Sequence, residues 1–218
     1  MFRWCPLHSR LEGELSMSKK PWENNYNRRL VRKQPRKDSL CTFTEGETEA
    51  LYFNAFHLSS ARIRCIGLGG GNAPYLAKEA VCKKKTEQYR NFDKYYLVFD
   101  CDANSADEIR EAIQIARKHR MEWIFSNPCF ELWFLLHYVL HETETNAHSL
   151  KGRLLCRHID QYHETMPGIY ERLLELQPNA FRNAQKLLEN WEDWPKRLHQ
   201  ANPSTNVSEL VEHMNRFL

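Results

Sequence analysis

The sequence predicts an α/β fold, a parallel sheet with helices on both faces, followed by a helical portion. Three observations predict it. β-rich runs alternate with helix-period stretches four times between residues 38 and 141, joined by short links. Right-handed crossovers between such units give a parallel, three-layer sheet. The run Tyr95–Phe99 (YYLVF) is apolar without a break, as a central strand covered on both faces requires.

The elements follow in order. Leu40–Thr44 is a short β-rich run that stops at Glu45-Gly46, and Glu47–Leu58 reads as a helix with Leu51, Ala55 and Leu58 on its apolar face. Arg62–Leu68 alternates as a strand does and ends at Gly69-Gly70-Gly71-Asn72. Ala73–Tyr89 is helical. The third strand, Tyr95–Phe99, closes on Asp100-Cys101-Asp102. Ser105 and Glu108 have the spacing of a capping box, and Ile109, Ala112, Ile113 and Ala116 form the stripe of the helix it opens. Glu122–Phe125 is a fourth strand. Ser126-Asn127-Pro128 then reads as a cap with proline at the first helical position, opening a helix to about His141. Beyond residue 142 only helical patterns recur, near 147–158, 168–176, 179–191 and 206–217. The expected organisation is therefore a basic, flexible arm over 1–37, an α/β domain over 38–141 and a helical portion over 142–218.

Composition narrows the class. Hydrophobic residues make up 42% of 218, enough for a globular core. No apolar stretch reaches the length of a membrane span, and the first residues lack the apolar block of a signal peptide. The seven cysteines are scattered with no Cys-x-x-Cys pair, which argues against a zinc site or a disulfide framework and for a reducing, cytoplasmic setting. The net charge of +3 is uneven. Residues 19–37 hold eight Lys/Arg and one acid, about +7, which leaves about −4 for the rest. Arg28, Arg29, Arg32, Lys33, Arg36 and Lys37, with Trp22 and Tyr26 nearby, suit nucleic acid, because cations displace counterions from phosphates and aromatics stack on bases. A solubilising tail or a protein contact would use the same residues.

The chemistry is expected at the strand ends, where ligands bind in parallel sheets. Glu45 closes the first strand, and Asp100 and Asp102 close the third. In extended backbone, residues i and i+2 point the same way, so two carboxylates face one point. A cation relieves their repulsion, and all-oxygen donors select Mg²⁺ or Mn²⁺. The same spacing also serves as a helix cap or an Asx-turn. Glu47 and Glu49 are expected to favour their helix dipole, Glu47 within reach of the metal and Glu49 from the solvent side. Glu131 is read either as a further ligand or base, or as a first-turn acid in front of the apolar Phe130, Trp133 and Phe134. His137 is expected as a hydrogen-bonded histidine beside the core. Gly70, Gly71 and Asn72 belong to a turn that either admits a phosphate backbone closely or is simply flexible.

Four strings resemble the RloB-like family, in order: Phe43-Thr-Glu45-Gly-Glu-Thr-Glu49, Val98-Phe-Asp100-Cys-Asp102, Ser126-Asn-Pro-Cys-Phe-Glu131-Leu-Trp and Asn202-Pro-Ser-Thr205. The third is the specific one. That family resembles the Toprim fold of topoisomerases, primases and certain nucleases. The resemblance implies a Toprim-like core in which Glu45, Asp100 and Asp102 bind Mg²⁺, with Glu131 in the shared string. It also implies prokaryotic defence against phage, beside an ATPase partner of the RloA type. Cys101 stands where arginine is common in the family, and no topoisomerase tyrosine can be assigned. The expected activity is a Mg²⁺-dependent nuclease acting on DNA or RNA, tRNA included. The alternatives are a non-catalytic nucleic-acid-binding or sensor subunit, and a nucleotidyl transferase. Self-association is left open.

Overall fold

A computed structural model describes residues 38–218, apart from positions 103, 192, 194 and 195. The basic arm, with Arg28, Arg29, Arg32, Lys33, Arg36 and Lys37, lies outside the described residues. The strands are β1 (Asp38–Thr44), β2 (Ala61–Gly67), β3 (Lys94–Asp100), β4 (Glu122–Asn127) and β5 (Ser204–Thr205). They lie in the order β2-β1-β3-β4-β5. The first four are parallel, and β5 runs antiparallel to β4. The helices named below are α1 (Glu47–Asn54), α2 (Ala73–Lys85), α3 (Ala106–Lys118), α4 (Glu131–Leu136), α5 (Ala147–Ser149), α6 (Ile169–Leu174), α7 (Gln177–Glu189) and α8 (Val207–Asn215). A π turn at Leu150–Leu154 and a 3₁₀ turn at Leu155–Arg157 extend α5.

Strand alternation divides the core in two. Cys41, Phe43, Leu97, Phe99 and Phe125 face α2 and α3. Leu40, Tyr96, Val98 and Ile124 face the other way, into one apolar cluster with residues of α1, α4, α6, α7 and α8. The C-terminal helices are thus packed on the sheet and share its core. Trp133 anchors this layer: its indole Nε1–H donates to the Tyr52 hydroxyl at 2.9 Å, and both side chains are fully buried. Among the described residues no helix is long and apolar enough to cross a membrane.

The structure corrects four local expectations. The buried side of α1 is Glu49, Ala50, Tyr52 and Phe53, whereas Leu51 is 46% exposed. Large aromatics here fill the space between sheet and C-terminal helices, which outweighs the helical period read from the aliphatic residues. Second, Ser126 and Asn127 do not cap a helix but continue β4. Ser126 C=O accepts the Cys101 N–H at 2.9 Å, and Asn127 Nδ2 donates to Leu198 C=O at 2.8 Å. Third, α4 begins only at Glu131, after a cis Asn127–Pro128 bond, and ends at Leu136. Fourth, β5 joins the sheet. Its Thr205 hydroxyl donates to Phe125 C=O at 2.8 Å and hydrogen-bonds the Ser126 hydroxyl at 2.9 Å.

Asparagine amides pair backbone groups on β2 and on the stretch of β4 that β5 leaves open. Asn54 clamps Cys65 of β2, accepting its N–H at 3.1 Å and donating to its C=O at 3.0 Å. Asn206 takes the Phe125 N–H of β4 at 2.8 Å and donates to Trp123 C=O at 3.4 Å.

Candidate functional site

Because β1 and β3 are neighbours, their tips bring two acids together. The Asp100 backbone N–H donates to Glu45 Oε2 at 3.1 Å. Asp100 extends the row Tyr96–Val98, so it belongs to the face covered by α1 and α4. Those helices supply two more acids, Glu49 from α1 and Glu131 from the first turn of α4, at 4% and 3% exposure. Asp102 lies just beyond the strand and is exposed, with its backbone N–H donating to Pro128 C=O at 3.1 Å. The tip of β3 is therefore surrounded by Glu45, Glu49, Asp102 and Glu131, each of which acts on the Asp100 charge.

The electrostatics follow from burial and like charge. Burial, then Glu49, Glu45, Glu131 and Asp102, hold the Asp100 carboxyl well above the usual carboxylate range. Burial lifts Glu45 as well; the hydrogen bond from Asp100 N–H opposes this, and the Asp102 charge adds to it. Glu49 is pushed up to about 7 by burial and by Glu131 and Glu45. The solvated role expected of Glu49 is thus overturned. It faces inward and closes a capping box, its Oε2 accepting the Gly46 N–H at 3.1 Å. Glu47 is exposed, with its carboxylate over Gly67 at the end of β2.

Three carboxylate oxygens in this cluster accept hydrogen bonds, and one buried oxygen has none. Asp100 Oδ1 is buried with no hydrogen-bond partner. Such an atom costs about 1–3 kcal/mol when left unmet, more when charged. Among the described residues no group of three or more His, Cys, Asp or Glu side chains is arranged to hold a metal ion. Part of the reason is that Glu45 and Glu49 turn oxygens to backbone N–H groups, while Glu131 Oε1 accepts the Tyr162 hydroxyl at 3.1 Å.

One cation in this cluster was not legible in the sequence. Lys151, on the π turn, places Nζ 2.6 Å from Glu164 Oε1 and 3.6 Å from Glu131 Oε1. Burial acts to lower its pKa, but the Glu164 hydrogen bond and the Glu131 charge outweigh that and raise it. A lone lysine in a polar helical stretch carries no signal of this placement.

A family model described as RloB-like protein matches residues 40–214. The chain belongs to the RloB-like family. Comparison with curated proteins and with solved structures gave no match. The matched span in this RloB-like chain begins inside β1 and ends inside α8, so it takes in every acid of the cluster and Lys151.

The remaining predicted residues fall around this RloB-like cluster. Gly69, Gly70 and Gly71 have φ of 82°, 81° and 118°, a left-handed path natural to glycine. Gly70 N–H donates to Glu45 C=O at 3.0 Å, which ties the turn to the acids. Asn72 spends both ends of its amide inside the protein, accepting Tyr75 N–H at 3.1 Å and donating to Glu108 Oε1 at 2.8 Å. The Cys101 side chain is buried on the opposite face, beside Phe99, and does not face the acids. His137 is fully buried, and its Nδ1–H donates to Trp133 C=O at 2.8 Å. Its Nε2 has no partner, and burial lowers its pKa to about 4, so it remains a neutral core residue.

Proposed function

We propose that this chain is a divalent-metal-dependent nuclease that acts in the cytoplasm in prokaryotic defence against phage. The observation that carries the reading is Asp100: a buried carboxylate oxygen without a partner, at the centre of acids drawn from two strand ends and two helices. Hard oxygen donors of this kind fit Mg²⁺ or Mn²⁺. Asp100 and Asp102 would hold the ion, with Glu45 completing the shell. When bound, such an ion lowers the pKa of water and stabilises charge on a phosphoryl group.

The protein's own residues have separable tasks. Glu49, lifted to about 7, can take up a proton near physiological pH, as general bases do, and burial shifts Glu45 in the same direction. Glu131 is held by Tyr162 and Lys151, so it serves as an oriented neighbour of the acids. The positive charge of Lys151 lies beside them and suits a phosphate. The family resemblance adds a Toprim-like ancestry, the defence role and an RloA-type ATPase partner. The basic arm and the glycine turn would guide DNA or RNA.

The test is cleavage of single- and double-stranded DNA, RNA and tRNA by the purified chain with Mg²⁺ or Mn²⁺. Asp100→Asn and Asp102→Asn should abolish it while their melting curves stay cooperative. Cleavage that persists in both variants removes the reading. One observation favours a second reading, a binding subunit without turnover: among the described residues no three His, Cys, Asp or Glu side chains are arranged to hold a metal ion. That subunit would bind nucleic acid yet cleave none under any metal.

A further inference from the structure

Tyr75 lies on the first turn of α2 with 51% of its surface open to solvent. Of the large hydrophobic side chains exposed among the described residues, it is the one aromatic. An exposed ring on a helix surface is ordinarily free to swing, but this one is seated. Gly71 has φ of 118°, and a Cβ built there would stand 2.6 Å from Tyr75 Cδ1. The ring therefore lies directly against the glycine backbone, in space that only glycine leaves. The Tyr75 N–H is itself held by Asn72 Oδ1, whose amide is anchored on Glu108.

The seat is joined to the acidic cluster along two lines. Gly70 N–H donates to Glu45 C=O at 3.0 Å. Ala73 N–H donates to Asn104 Oδ1 at 2.7 Å, and Asn104 Nδ2 donates to Asp100 C=O at 2.8 Å. The ring is thus registered against both strand ends that carry the acids. Folding alone gives no reason to hold an exposed aromatic in this way, since the apolar contacts of α2 are made by Leu76, Ala77 and Ala80 on its buried side.

We propose that Tyr75, seated on Gly71, is a stacking platform for an unpaired base of the nucleic acid offered to the acidic cluster. The substrate class is then single-stranded or locally unpaired DNA or RNA. In a duplex both faces of each base are covered by neighbours, whereas an unpaired base has a face free for an aromatic ring. This rests on the nucleic-acid reading above and specifies its substrate.

The experiment measures binding, not cleavage. Fluorescence anisotropy follows a labelled oligothymidine and a duplex of the same length, with Ca²⁺ in place of Mg²⁺, on the full chain and its variants. Tyr75→Ala should weaken single-strand binding about 5- to 150-fold, the range of one lost stacking contact. Tyr75→Phe should retain it, and duplex binding should change by no more than about twofold in either variant. Tyr75→Leu, which keeps bulk without a π face, should behave as alanine, and unchanged duplex binding in both variants tells lost stacking from a folding defect. The proposal is overturned if wild type does not bind the single strand, or if Tyr75→Ala binds it like wild type. It also falls if phenylalanine loses as much as alanine, or if duplex binding falls equally. The expected pattern without strand cleavage by wild type leaves the platform standing and removes the nuclease reading instead.

Discussion

Replacing Glu49 with glutamine should stabilise the metal-free protein at neutral and alkaline pH. Glu49 is 4% exposed and its carboxyl is raised from 4.5 to about 7. A raised acid binds its proton more tightly folded than unfolded, so its contribution is fully favourable below about pH 4.5 and is lost as pH rises through 7. Two and a half pH units at 1.36 kcal/mol each give about 3 kcal/mol of native-state cost at pH 8. Glutamine keeps an oxygen for the Gly46 N–H and removes the charge. Part of the cost is already relieved by relaxation, so about 1–3 kcal/mol should be recovered. For a chain of this size that is a rise of roughly 2–10 °C in Tm. The assay is thermal melting in chelator from pH 5 to pH 8. The gain should shrink below about 1 kcal/mol at pH 5, where wild-type Glu49 is protonated in the folded state. Equal melting at pH 8, or a gain that is the same at pH 5, would refute the account of a buried, mutually repelling cluster.

Other outcomes test neighbouring parts of the argument. Mn²⁺ should raise the wild-type Tm, bind more tightly at pH 8 than at pH 6 and release protons in calorimetry, because Glu45, Glu49 and Asp100 all hold protons too strongly. Lys151→Met should cost about 1–3 kcal/mol in denaturant melts by leaving Glu131 without its cation, and adding Glu131→Gln should restore most of it. Asn206→Ala should lose about 1–3 kcal/mol, because the buried Phe125 N–H is then unmet; an unchanged midpoint would show that water replaces the amide.

The half of the fold that carries the acids was well marked in the sequence. β3 was legible because a fully covered strand must be apolar throughout, and the Ser105–Glu108 box because both of its hydrogen bonds are local. The placement of Glu45, Asp100 and Asp102 at the ends of β1 and β3 was legible because the apolar runs before them stop there. What escaped was set by distant partners. Ser126 and Asn127 read as a cap until Cys101, Leu198 and β5 claim their bonds. β5 itself, two residues long, has no period to read. Glu49 and Lys151 were missed for one reason: a charged residue in a helix reads as solvated, and only the packing of α1 on the sheet and of the π turn on α4 turns these two inward.

The asparagines that pair β2 and the open stretch of β4 bear on life at high concentration. A bare outer strand is a template on which another molecule can grow by backbone pairing, the first step towards fibrils. Asn54 occupies the Cys65 amide and carbonyl, and Asn206 occupies Phe125 and Trp123. Asn54 does for part of β2, and Asn206 for the stretch of β4 that β5 leaves open, what a further strand would otherwise do, and the exposed charges of Arg62 and Arg64 on β2 add a second barrier to edge pairing.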